Sequence, residues 1–160
     1  PENSAMHPRT EILLFLASRA QLVEERIRPA LLEGTIVLCD RYADSTLAYQ
    51  GYGHGVDLDT LRSLLAFATG GLQPDLTILL DVSPEEGLRR RKKGGGEWNR
   101  LDAFALAFHE RVRQGYLEMA HQQPGRWHIV DAHQSPDMVQ SEIRQVVLSR
   151  LQPPAANRIF

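Results

Sequence analysis

The sequence is poor in cysteine, in aromatic residues and in long apolar runs. Its single cysteine, Cys39, excludes a disulfide within the chain, and the apolar run TIVLCD around it predicts a buried, inert thiol. No apolar run approaches the roughly 18 residues that a membrane-spanning helix needs. The opening PENSAMHP lacks the charged start and the apolar middle of a signal peptide. We therefore expect a cytoplasmic protein with no membrane partner.

Neither sign of charge dominates the chain. Lys and Arg number 18 against 20 Asp and Glu, so the net charge of -2 gives no reason to expect a nucleic-acid partner. The six histidines show no metal-ligand spacing. With 160 residues, of which 42% are hydrophobic, the chain has the size and apolar content of one domain covering 1–160.

The first third of the chain predicts a helix pair and a strand. Apolar residues recur with a period near 3.6 from Thr10, which is a plausible N-cap. The proline in IRPALL predicts a break near Glu25 and a second short helix that ends at Gly34. TIVLCD, at 35–40, is rich in β-branched residues and predicts a buried strand, and a helix follows at about 45–50.

Later segments alternate between helix and strand. We predict, in chain order, a helix at 59–68 closed by two glycines, a strand at 76–82 buried on both faces, a helix at 84–93, a helix at about 100–120, a strand at 126–132, a helix at 135–151 and a loose tail at about 152–160. Strands separated by helices of this length predict an α/β fold with a parallel sheet and helices on both faces.

The pair Asp40 and Arg41 follows the first predicted strand, at the sheet edge where α/β proteins bind ligands. The guanidinium of Arg41 suits bidentate contact with a phosphate or carboxylate, and Asp40 suits a hydrated Mg²⁺. The alternative is a salt bridge that only fixes the strand end.

The polar helix DSTLAYQG comes next. Ser45 and Tyr49 are one turn apart, as are Thr46 and Gln50, so both pairs lie along one side of the helix, where they can read a base edge. A solvated face is the alternative, but such faces usually carry Lys and Glu, and none occurs between Tyr42 and His54.

Two further segments carry candidate residues. Phe15 and Arg19 place a flat ring and a planar donor one turn apart, which suits a nucleobase, although most phenylalanines at helical spacing belong to the core. RRRKK at 89–93, then three glycines and Arg100, is typical of a lid over a phosphoryl-transfer site. A solvated basic helix end or a nucleic-acid patch are the alternatives.

In this order, the motifs resemble those of the thymidylate kinase family. DRYADSTLAYQ matches the family signature of Asp-Arg-Tyr or Asp-Arg-His, two free positions, Ser-Thr, one position and Ala-Tyr-Gln, and LLFLASRAQ and PDLTILLDVSPEEGLRRR match in the right places. The resemblance runs from about Met6 to Leu151. It implies a three-layer fold of the P-loop nucleoside monophosphate kinase type and a homodimer. It also implies that the enzyme transfers the ATP γ-phosphate to dTMP, giving dTDP.

The resemblance also implies individual roles. Phe15 would stack on thymine and Arg19 would donate to its O4. Arg41 would hold the dTMP phosphate and act in catalysis, and Asp40 would reach Mg²⁺ through water. The other implied roles are Ser45 and Thr46 along the base edge, Tyr49 and Gln50 near the sugar and base, Arg90, Arg91 and Arg100 as catalytic charges of a lid at about 89–100, and Arg89, Asp131 and Ala132 at the ATP site.

One departure from the family is large. The phosphate-binding pattern G-x-x-x-x-G-K-[ST], which members carry near their start, does not occur among the 160 residues. We therefore expect an N-terminally truncated kinase that lacks the first strands and is inactive by itself. The alternatives are a module that binds dTMP without catalysis and a related deoxynucleoside kinase.

Overall fold

The computed structural model describes residues 6–94 and 106–151. In chain order it contains α1 (Pro8–Leu22), a π-helical segment (Val23–Ile27), α2 (Arg28–Leu32), α3 (Ala43–Thr46), a second π-helical segment (Leu47–Gly53), α4 (Leu58–Thr69), β1 (Thr77–Asp81), α5 (Pro84–Lys93), α6 (Leu106–Gln122), β2 (Trp127–Asp131) and α7 (Pro136–Leu151). No helix in these ranges is both long and apolar enough to cross a bilayer.

The first helix is longer and more continuous than its sequence predicts. It begins at Pro8 with His7 as N-cap, so the prediction of Thr10 as N-cap is wrong. A break near Glu25 is also absent, because the helix widens into a π turn in which the Arg28 amide donates to the Val23 carbonyl. The ring of a helical proline clashes with the carbonyl four residues before it, and the wider turn accommodates Pro29 without ending the helix.

The predicted strand at 35–40 is not formed. Ile36 and Leu38 are 69% and 98% exposed, and no backbone ladder joins this segment to another described one. A strand exists only when a neighbour satisfies its amides and carbonyls, and the sheet among the described residues consists of β1 and β2 alone. Cys39 is consequently exposed, so the prediction of a buried thiol is wrong as well.

The predicted parallel sheet is confirmed for two strands. Thr77 lies opposite Trp127, and the register continues to Asp81 opposite Asp131. Both carboxylates therefore stand at the carboxyl edge. The prediction that the strand at 76–82 is buried on both faces is wrong for Leu80, which is 50% exposed.

The helices α4, α5 and α7 form close to where local signals predict them. Asp57 caps α4 by accepting from the Thr60 amide, and Gly70 ends it in the left-handed conformation with φ of 57°. Ser83 caps α5, which runs through the basic residues to Lys93. The helix predicted at 100–120 is α6, and residues 100–105 lie outside the described residues, as does the predicted tail at 152–160.

Within residues 6–94 and 106–151 the buried apolar side chains form two clusters, and both contact the polar segment 43–53. One is formed by Ala48, Phe108, Val112, Met119, Ala120 and Trp127, and the other by Ile12, Leu16, Leu61, Leu65 and Ala68. Leu47 packs against both. A Cβ atom on Gly53 would lie 2.6 Å from the Phe108 ring, so glycine permits the close approach of α6. The polar segment is therefore fixed from two directions.

Candidate active site

A hydrogen bond joins α1 and α3, the two helices that carry the predicted base-binding residues. Arg19 Nη1 on α1 donates to Thr46 Oγ1 on α3 at 3.0 Å, and the Arg19 guanidinium lies 5.6 Å from the centroid of the Tyr42 ring. Burial lowers the pKa of Arg19, but an arginine keeps its charge in proteins. Phe15, one turn before Arg19, is 47% exposed, so its ring is available to a ligand.

Arg41 has an unusual backbone. Its φ of 61° lies in the left-handed region, which non-glycine residues seldom adopt and which is enriched at ligand sites. The side chain rests on Tyr49: Nη2 donates to the Tyr49 hydroxyl at 3.1 Å, and the guanidinium lies 4.9 Å from the ring centroid. Arg41 is exposed and therefore presents a positioned cation at the surface.

Ser45 and Tyr49 share a partner that the sequence analysis missed. Tyr116 on α6 donates its hydroxyl to Ser45 Oγ at 2.8 Å, and its ring meets the Tyr49 ring edge-on with centroids 6.4 Å apart. Burial raises the pKa of Tyr116 to about 12. No motif or spacing singles out this tyrosine, because its partner lies 71 residues away.

The side chains of Thr46 and Gln50 are buried in the protein interior. They are 2% and 3% exposed, and Gln50 Nε2 lies 3.5 Å from Glu11 Oε2 on α1. The prediction that both pairs lie along one side of this helix is therefore wrong, because consecutive residues of a helix point about 100° apart and the two pairs start at neighbouring positions. Ser45 and Tyr49 contact α6, whereas Thr46 and Gln50 approach α1.

An ion pair joins α3 to the residue directly before β2. Arg126, just before β2, donates to both carboxylate oxygens of Asp44 at 2.7 and 2.8 Å, and also to Thr77 Oγ1 at 2.8 Å. The consecutive residues 44, 45 and 46 are therefore each held by a different part of the fold. Sequence reasoning missed Arg126, since nothing local relates it to Asp44.

Asp40 is an exposed carboxylate directly before Arg41. Residues 6–94 and 106–151 contain no group of three or more His, Cys, Asp or Glu side chains able to enclose a metal. Asp40 supplies one carboxylate, whereas Mg²⁺ keeps several waters and commonly takes one or two carboxylates together with substrate phosphates. A fully protein-enclosed ion is not what these residues provide.

The arginines of α5 are already paired. Arg89 donates to both oxygens of Glu86 at 2.6 and 2.7 Å, and Arg90 Nε donates to the same carboxylate at 2.6 Å. These bonds lower the pKa of Glu86 to about 2. Arg91 is partly buried, and Arg100 lies outside the described residues.

The loop after β2 is joined to α5. Arg90 Nη1 donates to the Ala132 carbonyl at 2.7 Å. Asp131 Oδ1 accepts from the His133 amide at 2.9 Å and lies 2.8 Å from its Nδ1, and these bonds lower the pKa of Asp131. The Ser83 amide lies 3.4 Å from His133 Nε2, so the loop also reaches the start of α5.

The structure thus groups the predicted residues into two sets. The first contains Arg19, Arg41, Ser45, Thr46, Tyr49 and Gln50, with Phe15 beside it. The second contains Arg89, Arg90, Asp131 and Ala132. Glu86 and His133 connect the residues of the second set, and the sequence analysis missed both. A single acidic or histidine residue near a strand end belongs to no motif that would indicate such a role.

Comparisons with known proteins identify the family of this chain. Residues 2–143 match the model of the thymidylate kinase family. The thymidylate kinase of Roseiflexus castenholzii is 52% identical over 158 residues, covering 91% of this chain and 69% of that protein. The thymidylate kinase of Thermomicrobium roseum is 58% identical over 135 residues, covering 84% and 64%.

A third relative gives the same result. The thymidylate kinase of Nitratidesulfovibrio vulgaris is 50% identical over 159 residues, covering 96% of this chain and 74% of that protein. The chain therefore belongs to the thymidylate kinase family, and the resemblance inferred from its motifs is confirmed.

Proposed function

We propose that this protein is a nucleoside monophosphate kinase that transfers the γ-phosphate of ATP to dTMP, giving dTDP for dTTP synthesis. The observation that carries the proposal is the bond between Arg19 and Thr46. It brings an exposed aromatic ring, a planar cationic donor and a hydroxyl from two separate motifs to one place. That combination suits a pyrimidine base with a carbonyl at its edge.

Base recognition is assigned to α1 and α3. Phe15 stacks on thymine, and Arg19 donates to O4 from an orientation fixed by Thr46. Ser45 lies along the base edge and Tyr49 near the sugar, while the buried Thr46 and Gln50 form the wall behind the base on the α1 side. The near-complete burial of Gln50 supports a role in shaping this wall, since a buried amide keeps one orientation.

Phosphate recognition is assigned to Arg41. A guanidinium donates two parallel hydrogen bonds to a phosphate, and stacking on Tyr49 limits the rotamers that Arg41 must lose on binding. Asp40, beside it, would hold Mg²⁺ through water. The ion supplies charge neutralisation on the phosphates when bound.

ATP is assigned to the second set of residues. Arg89, Asp131 and Ala132 border the nucleotide, and Arg90, Arg91 and Arg100 stabilise the charge that develops during transfer. Glu86 supports this assignment, because it orders Arg89 and Arg90 in advance. The side chains of Arg89 and Arg90 are themselves 53% and 46% exposed, so both remain accessible to a phosphate.

We propose the family architecture and assembly for this protein as well. The whole fold would be a three-layer sheet of the P-loop kinase type, and the protein would be a cytoplasmic homodimer. Exposed apolar residues on helices support self-association: Leu13 and Leu14 on α1 are 58% and 56% exposed. Light scattering on the purified protein would give the number of chains.

An assay of product formation tests the proposed reaction. The complete protein that contains these residues is incubated with Mg²⁺, ATP and one acceptor: dTMP, dCMP or thymidine. We expect dTDP from dTMP and little product from the other two acceptors. Phosphorylation of thymidine in preference to dTMP would favour a deoxynucleoside kinase, and tight dTMP binding without any product would favour a binding module.

A further inference from the structure

The hydroxyl of Tyr116 sits behind the proposed dTMP site rather than in it. It lies on α6 and reaches Ser45 Oγ at 2.8 Å. We propose that Tyr116 is a positioning residue that sets the orientation of Ser45 and Tyr49 for dTMP. This inference rests on the proposed function, because it concerns the same site.

The ring of Tyr116 is fixed from two sides. It meets the Trp127 ring of β2 with centroids 6.3 Å apart and the Tyr49 ring with centroids 6.4 Å apart, both in edge-on geometry. Trp127 is 5% exposed and belongs to the core. Tyr116 therefore connects the rigid sheet to a side chain of the polar segment.

The hydrogen bond from Tyr116 determines what the Ser45 hydroxyl can do. A phenol whose pKa lies near 12 keeps its proton at neutral pH, and Tyr116 donates it to Ser45. A serine hydroxyl that accepts one hydrogen bond still has its own hydrogen to donate. The contact thus turns Ser45 into an oriented donor.

Tyr116 also contacts the Tyr49 ring, and Tyr49 in turn contacts Arg41. Tyr116 and Phe108 both meet the Tyr49 ring edge-on, the latter with centroids 6.1 Å apart. Arg41 in turn stacks on Tyr49 and donates to its hydroxyl. Tyr116 thereby supports Ser45 directly and Arg41 through one intermediate ring.

The substitution Tyr116→Phe isolates the hydroxyl and keeps both ring contacts. In the complete protein we expect the KM for dTMP to rise about 3- to 10-fold, as the loss of one hydrogen bond predicts, with the KM for ATP unchanged. Ser45→Ala should raise the KM for dTMP at least as much, because it removes the oriented donor itself. The double variant should then be no worse than Ser45→Ala alone, because the Tyr116 hydroxyl acts through Ser45.

Tyr52→Phe is the matched control. Tyr52 packs against Gly115 at the same contact between α6 and the second π segment, but its hydroxyl interacts with Glu118 rather than Ser45. We expect this variant to keep the KM for dTMP of the unaltered protein. A general loosening of α6 would instead raise both KM values and lower Tm in both Tyr variants.

Each outcome decides the inference. An unchanged KM for dTMP in Tyr116→Phe, or equal rises for dTMP and ATP, overturns the role of Tyr116 while dTDP formation by the unaltered protein leaves the proposed function standing. If the unaltered protein forms no dTDP and binds no dTMP, the proposed function fails and this inference fails with it.

Discussion

Arg126 and Asp44 form a two-bonded ion pair across 82 residues of sequence, with distances of 2.7 and 2.8 Å. Their side chains are only 16% and 13% exposed, so water screens the pair weakly. The contact joins the sheet to α3, whose next two residues, Ser45 and Thr46, belong to the candidate site. Stability and site geometry therefore depend on one carboxylate.

We predict that Asp44→Asn lowers the free energy of unfolding by on the order of 3 kcal/mol, because it leaves a largely buried guanidinium without its counter-charge. Urea unfolding followed by circular dichroism measures this change. Asp59→Asn is the control: Asp59 pairs with Arg62 at 2.8 Å but is 88% exposed, so its loss should cost less than about 0.5 kcal/mol. Equal effects of the two substitutions would contradict the account.

The stabilising contribution of the Glu86 carboxyl should depend on pH. Its pKa is about 2 against an ordinary value of 4.5, owing to the bonds from Arg89 and Arg90. Because the folded pKa is the lower one, the contribution of this cluster to stability is complete above about pH 4.5 and is lost as the pH falls through about 2. Carbon-13 NMR of the carboxyl should show titration near 2 and a clear rise in Arg89→Met. Titration near 4.5 in the unaltered protein would refute the pairing.

Arg41→Ala should weaken dTMP binding by about 1.5 to 3 kcal/mol, since it removes one partner of a charge-assisted pair with phosphate. Thymidine has no phosphate, so its affinity should not change. Calorimetric titration of both ligands into the complete protein measures the difference. Equal losses for dTMP and thymidine would show that Arg41 acts on the shape of the site and does not contact the phosphate.

The 160-residue chain expressed by itself should form no dTDP. Its sequence contains no G-x-x-x-x-G-K-[ST] pattern, and phosphoryl transfer depends on groups that position the β- and γ-phosphates. Circular dichroism establishes that the chain is folded, and an assay for ADP and dTDP then measures turnover. Formation of dTDP above the rate without protein would contradict this prediction.

Local signals predicted the helices better than the strands. The Asp57 and Ser83 caps and the left-handed Gly70 are set by nearby residues, so α4 and α5 form close to the predicted bounds. TIVLCD has the composition of a strand, but pairing depends on a neighbour that no local pattern specifies. The exposure of Cys39 follows from the same missing ladder.

The candidate site shows the same division. The sequence predicted Phe15, Arg19 and Arg41 as site residues from residue type, spacing and the family resemblance, because recognition of a base or phosphate needs particular chemical groups. It did not identify Tyr116 or Arg126, whose partners lie 71 and 82 residues away. The role of such a supporting residue depends on a tertiary contact. Many residue types that carry a hydrogen-bond donor could make that contact, so the local sequence does not indicate which residue does.

The ability of Arg19 to distinguish thymine from cytosine is the most specific consequence of this account. Its guanidinium matches the O4 carbonyl of thymine but meets the amino group of cytosine, which leaves a donor against a donor. Phe15→Ala is the control, because stacking is worth roughly 1 to 3 kcal/mol for any base and should be lost equally for both.

The direct measurement is the ratio of kcat/KM for dTMP to that for dCMP in the unaltered complete protein and in Arg19→Ala. We predict that Arg19→Ala lowers this ratio by about tenfold or more, while Phe15→Ala lowers both values and leaves the ratio nearly unchanged. An Arg19→Ala variant that keeps the ratio of the unaltered protein would contradict the account, and Arg19 would then serve only to hold Thr46 in place.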